Sequence, residues 1–358
     1  MKMKRLISIT AAVVALVLVL GVLQRVLTPK YVSEAQDGRL IAEYYNSDKN
    51  HDVVFVGDCE VYENISPITL WQDYGITSYV RGSPQQLIWH SYYLMEETLK
   101  YETPKAFVFN VLSMKYGEPQ NEAYNRLALD GMKWSASKTA SVSASMTEEE
   151  EYITYLFPLL RFHSRWSELK AEDFKYAFKK VPQLSINGYL MRIDVDGVEQ
   201  LRPGQAGKDA PFAEICWQYL DKMRTLCQEN GVELILMKAP TNTPQWFWYD
   251  SWDQAVEEYA EKHGLRYYNF LHNVDEIGID YTTDTYDQGG HLNLSGAEKL
   301  SKYFGNILTQ ELELTDHRGD STYEQTWQVL TSQYEQVRQT QEKLLKENGK
   351  LTGFTGIE

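Results

Sequence analysis

Residues 52–60 read DVVFVGDCE. Four apolar residues, Val53 to Val56, run into a Gly57-Asp58 pair, and Cys59 follows at once. A short run of this kind closed by a turn pair is the mark of a buried strand. Downstream, ISPITLWQDYG reads as a helix with Ser66 as N-cap and Pro67 at the first helical position. ITSYVRGS is a second strand ending at Gly82, and SPQQLIWHSYYLMEETLKY is an amphipathic helix broken at Thr103-Pro104. KAFVFNVLS is a third strand ending at Asn110. The alternation resumes with a helix at 211–229, the strand VELILMKAP, the helix SWDQAVEEYAEKHG, the strand LRYYNF and a last helix opening near Ser295. Strands alternating with helices predict an α/β fold with a mostly parallel sheet.

Upstream, MKMKR is followed by an uncharged run from Leu6 to Leu23. At about 1.5 Å per residue the run nearly spans a hydrocarbon core. The basic flank predicts a cytoplasmic N-terminus and an extracellular remainder. A cleaved signal peptide is the alternative, but Gln24-Arg25-Val26-Leu27 offers no small-x-small cleavage site. The expected organisation is a membrane anchor at 1–27 that enters the bilayer through residues 6–27, then a linker helix at 28–50. The main α/β domain at 51–316 carries a mostly helical insertion or cap at 117–205, and an amphipathic helix and tail occupy 317–358. In that last helix Trp327, Leu330, Tyr334, Val337 and Leu344 form a thin apolar stripe, expected to pack on its own domain.

The net charge of −15 and the lack of a basic stripe argue against nucleic acid. Aromatic residues make up 13% of the chain. They suit either an aromatic core and lid or a surface that stacks on sugars. The three cysteines form no disulfide framework. Cys216 and Cys227 fall on one helix about 16 Å apart, too far to bridge. No metal set, P-loop or dinucleotide fingerprint occurs, so no cofactor is expected.

Functional residues of an open α/β sheet gather at the carboxyl ends of its strands. Three strands end at Gly57-Asp58-Cys59, at Gly82 and at Asn110. Far downstream, DTYDQGGHLNLSGAEKLS sets Asp284, Asp287 and His291 before a helix. With these four blocks in this order, the chain resembles the SGNH, or GDSL-type, hydrolase superfamily over roughly residues 50–310. It is most similar to the membrane-anchored branch of bacterial cell-envelope acylation, the DltD-like and alginate-acetyltransferase-like proteins. The resemblance implies a three-layer, flavodoxin-like fold. It implies an acyltransferase or esterase acting on cell-envelope or exopolysaccharide O-acyl groups through an acyl-cysteine. A multi-span membrane O-acyltransferase is the implied partner, and a glycan or cell-wall polymer the implied substrate.

The catalytic roles follow the family pattern. Cys59 is the nucleophile, His291 the base and Asp287 its orienting partner, with Asp284 the runner-up. The Cys59 amide, the Gly82 amide and the Asn110 side chain would hold the oxyanion, and Asp58 belongs to the binding set. Three departures stand out. Cysteine replaces the family serine, the Asp–His spacing is four residues instead of three, and the third block lacks the Gly-x-Asn-Asp form. A bulge at Gly289-Gly290 would absorb the extra residue. These departures also motivate a catalytically silent reading, in which the domain binds a glycan or scaffolds a membrane acyltransferase. A cysteine peptidase or transpeptidase needs Cys and His too, but fits the strand-end blocks less well. Among lesser candidates, Glu60 reads as a rim residue. Trp89 and His90 read as helix packing, Asn187-Gly188 as a turn, Arg192 as a partner for an anionic substrate, and Trp246 and Trp248 as cleft lining.

Overall fold

The computed structural model describes residues 2–201, 211–241 and 250–357. In chain order the elements used below are α1 (Lys2–Leu27), β1 (Val53–Gly57), α2 (Cys59–Tyr62), α3 (Pro67–Tyr74), β2 (Ser78–Gly82), α4 (Ile88–Thr98), β3 (Ala106–Asn110), α5 (Ala136–Ser145), α6 (Tyr152–Leu156), α7 (Leu159–Phe162), α8 (Ala171–Phe178), α9 (Glu214–Asn230), β4 (Glu233–Lys238), α10 (Asp250–His263), β5 (Arg266–Asn269), α11 (Leu294–Glu311) and α12 (Ser321–Asn348). Two compact units emerge. One joins residues 1–32 to 148–182; the other holds 33–147 and 183–358. The stretch 117–205 is therefore divided: only its middle belongs with α1.

The larger unit is built on a five-stranded sheet of order β2-β1-β3-β4-β5, with every neighbouring pair parallel. Side chains alternate between its faces, as strand geometry requires. Val53, Phe55, Val108, Ile235 and Met237 enter one core with α3, α11 and α12. Val54, Val56, Phe107, Phe109, Leu234 and Leu236 enter the other with α4, α9 and α10. With both faces covered, the central strands read as continuous apolar runs and not as alternating ones. The α/β class expected from the sequence is what the structure has, as three layers in the flavodoxin-like strand order.

Local rules account for the boundaries. Ser66 caps α3, its hydroxyl accepting from the Thr69 amide at 3.2 Å, and Gly75 ends that helix in the left-handed region. α12 packs on its own unit, with Trp71 and Trp327 stacked at 4.9 Å and Tyr334 and Val337 buried. Asn187 and Gly188 form the expected turn. Asn187 accepts the Val80 amide at 2.9 Å, and a Cβ at Gly188 would lie 1.8 Å from the Val80 carbonyl oxygen. This turn covers the exposed edge of β2, where unpaired strand groups would otherwise invite pairing with another chain.

In the smaller unit α1 packs against α7 and α8. Residues 3–27 form a helix long and apolar enough to cross a membrane. A signal sequence would meet the same criterion.

Candidate active site

The chain visits β1, then β2 on one side, then β3 on the other. The crevice at the carboxyl ends of β1 and β3 is the switch point of the sheet, where such folds bind ligands. Cys59 and Asn110 lie there. Gly57 lets the two strand ends approach: its φ is +157°, and a Cβ would come 2.9 Å from that of Asn110. Asp58 caps α2, accepting the Glu60 amide at 3.1 Å. Cys59 takes the first position of α2, where a helix leaves its amide without an intrahelical acceptor. Gly82 sits opposite Gly57 in register. A Cβ there would press on Val61 at 3.0 Å and Tyr62 at 3.1 Å, so a glycine is what allows α2 to lie against β2.

The second half of the site comes from the loop before α11. His291 donates from Nδ1 to Asp287 Oδ2 at 2.6 Å and from its amide to Oδ1 at 2.7 Å. The four-residue spacing works through a local bulge. Gln288 and Gly289 adopt positive φ (58° and 92°), and the Asp287 carboxylate curls under Gly290, where a Cβ would be 2.8 Å from Oδ2. Asp284 is turned elsewhere, accepting from Lys299 Nζ at 2.6 Å and the Asp280 amide at 2.8 Å. The loop is pinned to the Cys59 side by Asn64, whose Oδ1 accepts the Leu292 amide at 2.8 Å. Asn293 caps α11 through the Gly296 amide.

His291 Nε2 is buried, faces the half-buried Cys59 thiol and has no hydrogen-bond partner besides it. Burial lowers the proton affinity of His291. The charges of Cys59 and Glu63 and the bond to Asp287 more than reverse this and hold it well above the usual imidazole range. Burial pushes the Cys59 thiol up, and His291 pulls it back toward the thiolate. The imidazole is thus equipped to keep a proton taken from the sulfur.

Around this pair lies a shell that the sequence reading missed in part. Glu63 is buried, its carboxyl pushed up by burial and drawn back by His291, and it accepts the Tyr286 hydroxyl. The Tyr286 ring stacks on His291 at 5.9 Å, and the Arg192 guanidinium lies 4.4 Å from the Tyr286 centroid. Arg192 is held by Asp194 through bonds of 2.9 and 2.6 Å. Lys115 faces Asp58. Burial lowers its proton affinity, and the charges of Asp58, Tyr116, Cys59 and Glu60 together more than restore it.

Glu60 is not a rim residue. It is fully buried, accepting from Lys238 Nζ at 2.6 Å, from the Thr241 hydroxyl at 2.9 Å and from Asn110 Nδ2 at 3.0 Å. Asn110 Oδ1 accepts the Leu112 amide at 3.0 Å, so this side chain is engaged at both ends. The structure therefore brings Cys59, His291 and Asp287 together with Asp58 and Gly82. It turns the Asn110 amide toward Glu60. Trp89 and His90 both bond the Ser145 hydroxyl, at 3.0 and 2.8 Å, as packing residues do. Trp246 and Trp248 lie outside the described residues.

Among the described residues no cluster of three or more His, Cys, Asp or Glu side chains is arranged to hold a metal. A cavity of about 550 Å³ lies at the opposite, amino-terminal end of the strands, between residues 46–51 and α12, and none of the site residues borders it.

No family model matches the chain, and no match to a curated protein was found. Among solved structures, the chain is similar to a Bacteroides fragilis protein described as a "putative acylhydrolase". The identity is 12% and the TM-score 0.37, over 80% of this chain and 100% of that one. At that level the likeness carries no argument about chemistry.

Proposed function

We propose that this chain is a membrane-anchored, extracytoplasmic acyltransferase or esterase. It acts on O-acyl groups of cell-envelope or exopolysaccharide glycans through an acyl-Cys59 intermediate. What supports the reading is one observation: Cys59, at a strand end and helix start, faces the Nε2 of an imidazole whose Nδ1 is held by Asp287. The apolar helix α1 supports the membrane location.

The steps follow from the geometry. His291 Nε2 takes the thiol proton as Sγ attacks the ester carbonyl. The tetrahedral oxyanion needs preorganised donors, and we assign the Cys59 and Gly82 amides to it. Asn110 Nδ2 gives one hydrogen to Glu60, and its second is the one that would join them. Collapse returns the His291 proton to the departing alcohol and leaves a thioester on Cys59. An acceptor hydroxyl then gives its proton to His291 and attacks the thioester. The sulfur leaves as thiolate and recovers the proton from His291. A sugar hydroxyl as acceptor makes this a transferase and water makes it an esterase. A multi-span membrane acyltransferase is the partner that would deliver the acyl group.

Trapping tests this. The full chain is incubated with an activated aryl ester, and intact-mass analysis is expected to find one acyl group on Cys59, absent in Cys59→Ala and much reduced in His291→Ala. Glycan acylation unchanged in cells carrying either variant would overturn the reading.

A second reading has its own observation. One of the two Asn110 Nδ2 hydrogens is engaged by Glu60, and burial raises the thiol. Both suit a silent domain that binds a glycan or scaffolds a membrane acyltransferase. It predicts an unreactive thiol and a cellular phenotype that survives Cys59→Ala.

A further inference from the structure

Exposed apolar side chains are concentrated in one place outside α1. Seven large ones stand exposed on residues 148–182, against six on the whole described sheet unit. Scattered single exposures are ordinary, whereas a dense group marks an interaction surface. The most exposed of the group are Phe178 (68%), Trp166 (57%) and Phe174 (55%). Phe174 and Phe178 are four residues apart on α8 and so share a face. On that helix Asp173 and Ala177 turn inward.

The position of this group relative to α1 names its occupant. Leu6 through Val22 stand exposed along α1, but Val26 and Leu27 are buried. The lipid-type surface stops where α7 and α8 pack against the helix. Arg165 donates to the Leu27 carbonyl and is paired with Asp173 at 3.4 Å. It thus places a cation at the C-terminal end of the helix, where the dipole favours one. A span entering from the cytoplasm delivers that end to the outer headgroup region.

The platform itself is not acidic, in contrast to the chain as a whole. Residues 152–178 carry four Lys or Arg and three Asp or Glu, a net of +1 in a chain of net −15. Aromatic side chains with long basic ones between them are what the headgroup boundary selects, since the basic stems reach outward to water and phosphate.

We infer that residues 152–178 form an interfacial platform that seats Phe157, Trp166, Phe174 and Phe178 in the outer leaflet of the membrane that α1 crosses. The occupant of this surface is lipid. The inference rests on the reading of α1 as an uncleaved span. Its consequence is that the chain holds the bilayer by a span plus a surface contact, and not by a flexible stalk alone.

The test uses the full chain with Cys59→Ser, reconstituted in phosphatidylcholine–phosphatidylglycerol vesicles. A nitroxide is placed in turn at Trp166→Cys, Phe174→Cys and Phe178→Cys. Val14→Cys in α1 reports the span, and the exposed Val329→Cys in α12 reports water. The sample without an added cysteine gives the background, and circular dichroism confirms folding of each variant. The ratio of collisions with oxygen to collisions with a water-soluble nickel chelate is read at each site. The expected result is a ratio several-fold above that of Val329 at all three sites, with Val14 higher still. If Val14 reads as lipid and the three sites read like Val329, the platform is refuted and the span stands. If Val14 also reads as water, the span reading falls and takes the platform with it. Protection from both probes at the three sites would mean a protein covers them, which also overturns the inference.

Discussion

Two buried carboxylates, one at each end of the sheet, are treated in opposite ways. At the amino-terminal end Glu102 is buried and fully served. It accepts the Tyr44 hydroxyl at 2.7 Å, the Asn50 and His51 amides at 2.8 Å each, and His51 Nδ1 at 2.9 Å. Burial alone would raise this carboxyl, but the bonds from His51, with those from Tyr44, outweigh it and bring it down to about 2. At the carboxyl end Asp58 accepts the Glu60 amide at the start of α2. Burial, opposed by Lys115, leaves it pushed up to about 6. Cys59 and Glu63 beside it are raised for the same first reason. Buried polar groups with full donor sets stabilise a fold, whereas groups held against their solvation preference cluster where chemistry happens. The same buried carboxylate is a staple at one end and a poised group at the other.

Two substitutions break this contrast if it is wrong. Cys59→Ala is expected to lower turnover of an activated ester by about 10⁴-fold or more, the scale on which removing a nucleophile acts. Its unfolding free energy should move by only about 1 kcal/mol, since one sulfur is lost from a half-buried site. Glu102→Ala should do the reverse. It leaves several buried donors without an acceptor and is expected to cost about 3–5 kcal/mol. Turnover per folded molecule should not change. Urea denaturation and an ester assay on both variants check the pair. A Cys59→Ala chain that unfolds, or a Glu102→Ala chain of undiminished stability, would erase the distinction between the ends.

The pH dependence of that staple is the next largest effect. The folded-state carboxyl of Glu102 lies at about 2, below its ordinary value of 4.5. A depressed carboxyl contributes stability that is present above the unfolded value and lost as pH falls through the folded one. At 1.36 kcal/mol per unit the contribution is about 3 kcal/mol, lost between pH 4.5 and pH 2. Stability curves taken across that range are expected to fall less steeply in Glu102→Ala than in the parent chain. Equal slopes would show that the ring of donors does not hold the charge.

Much of the fold could be read because it is written locally. Runs such as VVFV and AFVF give period and burial together, and Ser66-Pro67 and Gly75 give the ends of α3. Cys59, Asp287 and His291 stood out because they sit at a strand end and just before a helix start. What could not be read is pairing across long stretches of chain. Lys238 closes the strand ELILMK and looks like a charge leaving the sheet for water, yet it is buried against Glu60, 178 residues away. Glu63 and Tyr286 are separated by 223 residues and have no shared local pattern. Asn110 shows the same limit from the other side. Its place at a strand end was legible, and the partner that engages its amide was not. Residues 148–182 read as part of one helical insertion because their mixed charges and aromatics have no period that names a partner. Their packing on α1 comes from tertiary structure alone.

The smallest effect is also the one that tests the sign of the contrast. Asp58 sits at about 6 in the folded chain, above its ordinary 3.8. A raised carboxyl contributes stability that is fully present below the unfolded value and is lost as pH rises through the folded one, the opposite of Glu102. The shift is worth about 3 kcal/mol at most, and slightly less than that of Glu102. Asp58→Asn keeps an N-cap oxygen for the Glu60 amide and removes the charge. The variant is therefore expected to gain stability over the parent above pH 6 and to match it below pH 4, with the crossover read from urea midpoints at each pH. Removing the charge also removes one of the negative charges that raise the Cys59 thiol, which favours the thiolate. Alkylation of Cys59 should thus begin at lower pH in the same variant that is more stable at neutral pH. An Asp58→Asn chain that loses stability at every pH would mean that the ionised carboxylate is a structural group here as well, and that the two ends of the sheet are not opposites.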